Sequence, residues 1–186
     1  DYMNPSHDDP LFPYMRNFDC FAGHGWAGGY ADNNGGNNQE SAGEALNSWV
    51  GAYFYSTAVG NEIIRDAAIY GYTTELSAVK HYWFNYYNDF GEFYPYGSTG
   101  QVYGGSNFFG TFFNGEPLYV YGIHLIPGQE YLTSFGLTNS ENEALRKMMQ
   151  SLREEQNKWD GLSEESRVIH AWQHIFIPIV SIYDPD

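Results

Sequence analysis

At 186 residues the chain is long enough to bury a core as one domain. Its 8 basic and 23 acidic side chains give a formal charge of −15, which argues against nucleic acid and anionic membrane as partners. A single cysteine, Cys20, excludes an internal disulfide; without a Cys–His pattern it reads as a buried, inert thiol rather than a nucleophile. Aromatic residues make up 19% (17 Tyr, 13 Phe, 5 Trp), beyond what a core of this size needs. Tyr and Trp carry polar tips, and suit stacking on sugar faces as well as ordinary core and interface packing. No signal peptide, membrane-spanning run or lipidation motif is visible, which means little for a chain that starts abruptly at Asp1.

Residues 1–15 hold three prolines and no periodicity, and predict an extended entry segment. His7, Asp8 and Asp9 read there as solvated turn residues rather than metal ligands. From Arg16 to Tyr53 an Asp, a His, a Trp and two carboxylates surround a polar, glycine-rich loop that enters a helix. The loop Ala31–Asn38 fails as an EF-hand: with Asp32 at position 1, Asn37 falls where glycine is required and Gly43 where the bidentate glutamate belongs. It reads instead as flexible Asn/Gly turns that let backbone approach a ligand.

Ala45, Leu46, Trp49, Val50, Tyr53 and Phe54 repeat with helical spacing, predicting a helix from Glu40 to about Tyr55. With that helix beginning near Gln39, Glu40 and Glu44 lie one turn apart on one face. Such a like-charge pair costs on the order of a few tenths of a kcal/mol, part of which the helix dipole offsets. A helix chosen for stability alone avoids the pair, so these two carboxylates are the candidates for chemistry. A second helical register runs from Ile63 past Trp83 to about Tyr87, with Gly71 a kink or break. Short helices joined by tight turns suggest antiparallel hairpins.

Residues 88–138 are rich in Gly, Tyr, Phe and Thr with little helical period, predicting long loops and a short hairpin of functional rather than disordered character. Ser140 and Glu143 form a capping box for a helix to about Asn157, with Leu145, Met148, Met149 and Leu152 on one face. A last helix is predicted from Ser163 through Val180, kinked or ended by Pro178. Both read as structural, and so do His170 and His174, one turn apart. No metal, no cofactor and no internal repeat are predicted.

Asn17-Phe18-Asp19, Gly23-His24-Gly25-Trp26-Ala27, a short Asn/Gly loop, Gln39-Glu40-Ser41 and Glu44-Ala45-x-Asn47 follow one another in order. This series resembles the glycoside hydrolase family 81 endo-β-1,3-glucanases. The family usually writes GHSWA and ESSSE; here Gly25, Ala42 and Gly43 replace serines. Thr111-Phe112-Phe113, Gly122-Ile123-His124-x-Ile126-Pro127, Tyr131-Leu132 and the closing Tyr183-Asp184-Pro185-Asp186 resemble further family segments. The resemblance implies a mainly α fold, residues 1–186 forming the later portion of an (α/α)6 toroid-like catalytic domain with long aromatic, Gly-rich loops.

It also implies inverting, endo-acting hydrolysis of laminarin-type β-1,3-glucan, with Glu40 as general base. Glu44 would position the water or tune Glu40, and the order of the two could be reversed. Asp19, His24, Trp26, Tyr30, Gln39 and Asn47 are the candidate substrate contacts. Trp26 has core packing as its alternative, and Gln39 and Asn47 have capping or backbone satisfaction. In the family the general acid is an Asp in a motif resembling NDHHFHYGY, which no part of residues 1–186 matches. Asp19 is the nearest carboxylate, but its place in the motif points to substrate binding or loop support. The chain is therefore expected to be the C-terminal part of a longer module, without a complete acid–base pair of its own. A non-catalytic β-glucan-binding module is the reading from another class; a metal-dependent hydrolase lacks a compact ligand motif. The substrate class implies a secreted or cell-surface protein.

Overall fold

A computed structural model describes residues 3–4, 6–27, 34–128, 134, 142–168, 172 and 174. Tyr30, Tyr131, Leu132, Ser140, His170, Pro178 and the closing turn lie outside the described residues. The chain order is β1 (Phe18–Asp19), β2 (His24–Gly25), β3 (Asn38–Gln39), α1 (Ala42–Val59), α2 (Glu62–Tyr82), β4 (Gln101–Tyr103), β5 (Asn107–Phe108), α3 (Pro117–Gly122), α4 (Glu143–Asp160) and α5 (Glu164–Val168). Strands β1 and β2 pair antiparallel with Asp19 opposite His24. Strands β3, β4 and β5 form a second antiparallel sheet, with Gln39 opposite Val102 and Val102 opposite Asn107.

Helices α1 and α2 form a hairpin whose turn is set by local chemistry. Gly60 ends α1 in the left-handed region (φ 71°), where glycine carries no Cβ penalty, and its N–H bonds back to Ser56 and Thr57. Asn61 then caps α2, its side-chain oxygen accepting the Ile64 N–H at 3.1 Å. Helix α2 runs through Gly71 unbroken, contrary to the predicted break. Gly71 is there for room: a Cβ would lie 2.6 Å from the Trp49 indole carbons. Helix α2 also stops at Tyr82 rather than Tyr87, and the chain leaves through left-handed Asn85 and Asn88.

The core joins Leu46 of α1, Val79 of α2, Trp83, Phe84, Val102 of β4, Leu118 and Tyr121 of α3, and the stripe Leu145, Met148, Met149 and Leu152 of α4. That stripe is the face the sequence predicts. The cap of α4 among the described residues is Asn142, which accepts the Leu145 N–H at 3.1 Å. Cys20 is exposed, not buried, because it sits in the β1–β2 turn with exposed Phe21 beside it. Among the described residues no helix is long and apolar enough to cross a membrane.

Candidate active site

Helix α1 begins at Ala42, so Glu40 lies ahead of the helix and ahead of its cap. The expected face shared by Glu40 and Glu44 is thereby corrected: only Glu44 is helical, in the first turn, and it is exposed. Ser41 sets the boundary. Its backbone is extended (φ −81°, ψ 106°) and its Oγ accepts the Glu44 N–H at 3.1 Å, so the helix cannot begin earlier. The Ser41 hydroxyl donates to the Ile123 carbonyl at 2.7 Å, docking the helix start on the segment after α3.

Glu40 is partly buried, and its Oε1 is buried with no hydrogen-bond partner. Burial raises its pKa above the ordinary glutamate range, the Phe112 backbone N–H pulls it down, and the Glu44 charge adds to the rise. Its backbone is anchored as well: the buried Trp83 donates its indole N–H to the Glu40 carbonyl at 3.1 Å. Trp83 in turn meets His24 edge-on at 4.9 Å, so one ring joins the Glu40 backbone to the β1–β2 hairpin.

That hairpin builds one wall of a cleft of about 380 Å³, lined by Asp19, Phe21, His24, Trp26, Asn37, Tyr82 and Tyr103 among others. Asp19 Oδ1 accepts the Phe21 and Ala22 N–H groups at 2.9 and 3.1 Å, and Oδ2 accepts the Trp26 indole N–H at 3.1 Å. Burial works against the Asp19 charge, but the indole and the two backbone N–H groups outweigh it and hold the carboxyl below its usual range. Asp19 thus stays ionised and fixes the Trp26 ring, the reverse of what a proton donor needs. His24 is buried, its Nδ1 2.8 Å from the Gly25 carbonyl, with Trp26 edge-on at 4.3 Å. Burial lowers the His24 pKa against the pull of that carbonyl and of Asp19, so the ring is neutral at neutral pH.

Trp26 lines the cleft and also packs against the core. Gln39 is committed to β3, and its amide donates to the Ser41 carbonyl at 3.3 Å. Asn47 is partly buried on α1, three residues beyond Glu44 and so on the same side of the helix. Asn37 precedes β3 and stands three residues before Glu40, and its Oδ1 is buried with no partner.

The sequence reading put Asn37 in the Asn/Gly loop and Trp83 on a helical register, and named none of Asn37, Tyr82, Tyr103 and Trp83 as site residues. Glu75 escaped it, although a signal existed. It lies on the stripe Ala68, Gly71, Glu75, Ala78, Val79, and a glutamate on a stripe of small and apolar residues at helical spacing marks a buried carboxylate. Glu75 is 1% exposed; its Oε1 accepts the Gly25 N–H at 3.1 Å and its Oε2 the Trp49 indole N–H at 2.5 Å. Burial raises its pKa while those two donors oppose the rise. No group of three His, Cys, Asp or Glu among the described residues is placed to hold a metal.

Residues 1–185 match the model of the glycosyl hydrolase family 81 C-terminal domain. The chain belongs to glycoside hydrolase family 81. A glucan endo-1,3-beta-D-glucosidase of Acetivibrio thermocellus is 42% identical over 128 residues, 68% of this chain and 17% of the relative. One from Thermobifida fusca is 33% identical over 190 residues, 100% of this chain and 23% of the relative. A solved family 81 glycoside hydrolase from Clostridium thermocellum, in a mutant form, matches with a TM-score of 0.69 at 31% identity, over 94% of this chain and 28% of that one. This family 81 chain therefore spans 17–28% of the length of these relatives. Its helix-rich fold with small sheets is similar to the family 81 structure.

Proposed function

We propose that this chain is the part of an endo-β-1,3-glucanase that supplies the general base, Glu40, and one wall of the glucan cleft. The observation that carries the reading is the Glu40 carboxylate: desolvated, with a buried and unpartnered Oε1, raised in pKa, and held ahead of a helix on backbone that Trp83 joins to the hairpin of the aromatic cleft. A base poised above the ordinary glutamate range accepts a proton from water more readily than a solvated one. The glucan endo-1,3-beta-D-glucosidase names of its relatives supply the substrate class.

In the inverting reaction a water attacks the anomeric carbon as the glycosidic carbon–oxygen bond breaks. Glu40 takes the water's proton, and a second carboxylic acid protonates the departing sugar oxygen from about 6.5–9.5 Å away. Glu44, exposed on the first turn of α1, tunes Glu40 by its charge or orients the water. Asp19 is held ionised and so serves binding; the acid belongs to the preceding part of the parent protein. Trp26, Tyr82 and Tyr103 offer ring faces to a glucan chain, with Asn37, Tyr30 and Asn47 further contacts. The chain forms the later portion of an (α/α)6 toroid-like domain as a single region, 1–186, and its polysaccharide substrate places the parent outside the cell or at its surface.

The test is laminarin hydrolysis by the parent protein and by this chain, each beside Glu40→Gln. Turnover by the parent that is lost in Glu40→Gln, with none from this chain alone, supports the reading. Turnover by this chain alone overturns the distant acid. Glucan binding without turnover in either would make it a binding module.

A further inference from the structure

Glu40 sits on a short connection between β3 and α1, and a connection of that kind does not hold a carboxylate still by itself. What holds it comes from residues far away in sequence. His124 is fully buried. Its Nε2 lies 2.7 Å from the Thr99 carbonyl, and its Nδ1 faces the Ala42 N–H at 3.4 Å. A carbonyl only accepts and an amide N–H only donates, so these partners fix the ring as the neutral tautomer with its proton on Nε2. Ala42 is two residues after Glu40. Thr99 leads into β4, which pairs with the two residues before Glu40. One imidazole therefore touches the framework on both sides of the carboxylate.

The surroundings are built around the same contact. Ser41 Oγ donates to the carbonyl of Ile123, the neighbour of His124. At Gly43 a Cβ would lie 2.6 Å from the His124 carbonyl oxygen and 2.3 Å from that of Ile126, so the first turn of α1 is pressed directly onto this segment. Phe84 meets the ring edge-on at 5.8 Å.

We propose that His124 is a positioning residue for Glu40: its neutral ring accepts the Ala42 N–H, seats the first turn of α1, and keeps the Glu40 carboxylate in its desolvated place. This rests on the assignment of Glu40 as general base. With its pKa lowered to about 4 by burial, against the pull of the Thr99 carbonyl, the ring keeps that tautomer at neutral pH. Glu44 is the charged group facing Glu40, and the Phe112 N–H is its backbone partner.

The test compares His124→Asn and His124→Gln in the full-length parent with laminarin. Asn places an acceptor where Nδ1 stands; Gln places an amide where Nε2 stands and leaves the Ala42 N–H unanswered. We expect His124→Asn to hold kcat within about threefold, and His124→Gln to lower kcat on the order of 10- to 100-fold with little change in KM. His124→Gln should also move the acidic limb of the kcat/KM profile to lower pH, since a released Glu40 regains water. Equal loss in both variants, or no loss in His124→Gln, overturns the proposal.

If His124→Gln does not fold, Ser41→Ala carries the test, because it cuts the neighbouring link to Ile123. The acidic limb should move in the same direction, and an unmoved limb overturns the proposal. A parent that does not hydrolyse laminarin would sink the general-base reading. The positioning would then be read from stability: the pH dependence of the Tm difference between wild type and Glu40→Gln should shrink when His124→Gln is added. An unchanged difference there refutes the positioning alone.

Discussion

Glu75 of α2 accepts the Trp49 indole N–H at 2.5 Å and the Gly25 amide N–H at 3.1 Å, and so ties α1 and the cleft hairpin to one buried carboxylate. The carboxylate has two acceptors for two donors. Glu75→Gln turns one acceptor into an NH₂ group that faces a donor, at a cost of about 1–3 kcal/mol. Trp49→Phe removes one of the donors, so the second substitution should cost less in the Glu75→Gln background than alone. Urea denaturation of the four proteins measures this, with an expected coupling of roughly 0.5–3 kcal/mol. Strict additivity would mean that the indole bond is not what Glu75 provides.

Gly25 and Gly43 both stand where the family pattern has serine, and they should respond in opposite ways. A Cβ at Gly25 lies 3.7 Å from the Asn17 carbonyl oxygen and 3.7 Å from Glu75 Oε1, ordinary contact distances. Gly25→Ser should therefore fit, and its hydroxyl can donate to Glu75 for a gain of roughly 0.5–1.5 kcal/mol. A Cβ at Gly43 lies 2.3 Å from the Ile126 carbonyl oxygen, which is backbone and cannot swing aside. Gly43→Ser should cost about 1–3 kcal/mol and lower activity by displacing the helix that follows Glu40. Thermal unfolding separates the two, and a Tm gain at position 43 would contradict the packing described here.

The helices were legible because they bury one face. The stripe Leu145, Met148, Met149 and Leu152 has the helical period and meets the core with all four residues. The start of α1 was misplaced by two residues, since apolar period locates a helix but not its cap. Ser41 had to be recognised as the residue whose hydroxyl takes the Glu44 N–H. Two residues decide here whether Glu40 is a helix-face charge or a desolvated carboxylate ahead of the helix. Gly71 was misread for a related reason: helix propensity counts its cost, whereas its use is the Trp49 ring from another helix. The motif residues Asp19, His24 and Trp26 line one cleft together. Asn37, Tyr82 and Tyr103 reach it only through tertiary packing, which no local pattern encodes. The six-residue α3 was missed as well, because so short an element shows no period.

Glu44 should tune Glu40 measurably. Burial is the first cause of the raised Glu40 pKa, and the Glu44 charge adds to it. Removing that charge in Glu44→Gln should shift the acidic limb of kcat/KM in the parent to lower pH while turnover survives. Glu40→Gln should abolish turnover at every pH. Glu44 is exposed, so salt screens its effect, and raising ionic strength from 0.05 to 0.5 M (about 14 to 4 Å in Debye length) should move the wild-type limb in the same direction. An unmoved limb with a large loss of kcat would assign Glu44 to holding the water instead.

Acid should loosen the fold through His124 before it reaches Asp19. The folded ring has its pKa lowered to about 4, while an unfolded histidine titrates near 6.5. A depressed folded pKa means that the stabilisation is fully present above about pH 6.5 and is lost as pH falls toward 4, up to roughly 3 kcal/mol. His24, lowered mainly by burial, acts in the same direction. Glu40 and Glu75 act oppositely: their folded pKa values are raised, so their cost to the fold is relieved as pH falls. Asp19, held below its usual range, contributes only in the more acidic carboxylate window. His124→Gln takes the main histidine out of this balance, so its Tm should fall less than that of wild type between pH 6.5 and 4. Parallel Tm curves for the two proteins would trace the acid sensitivity to another group, and below pH 4 the two should again fall together as Asp19 protonates.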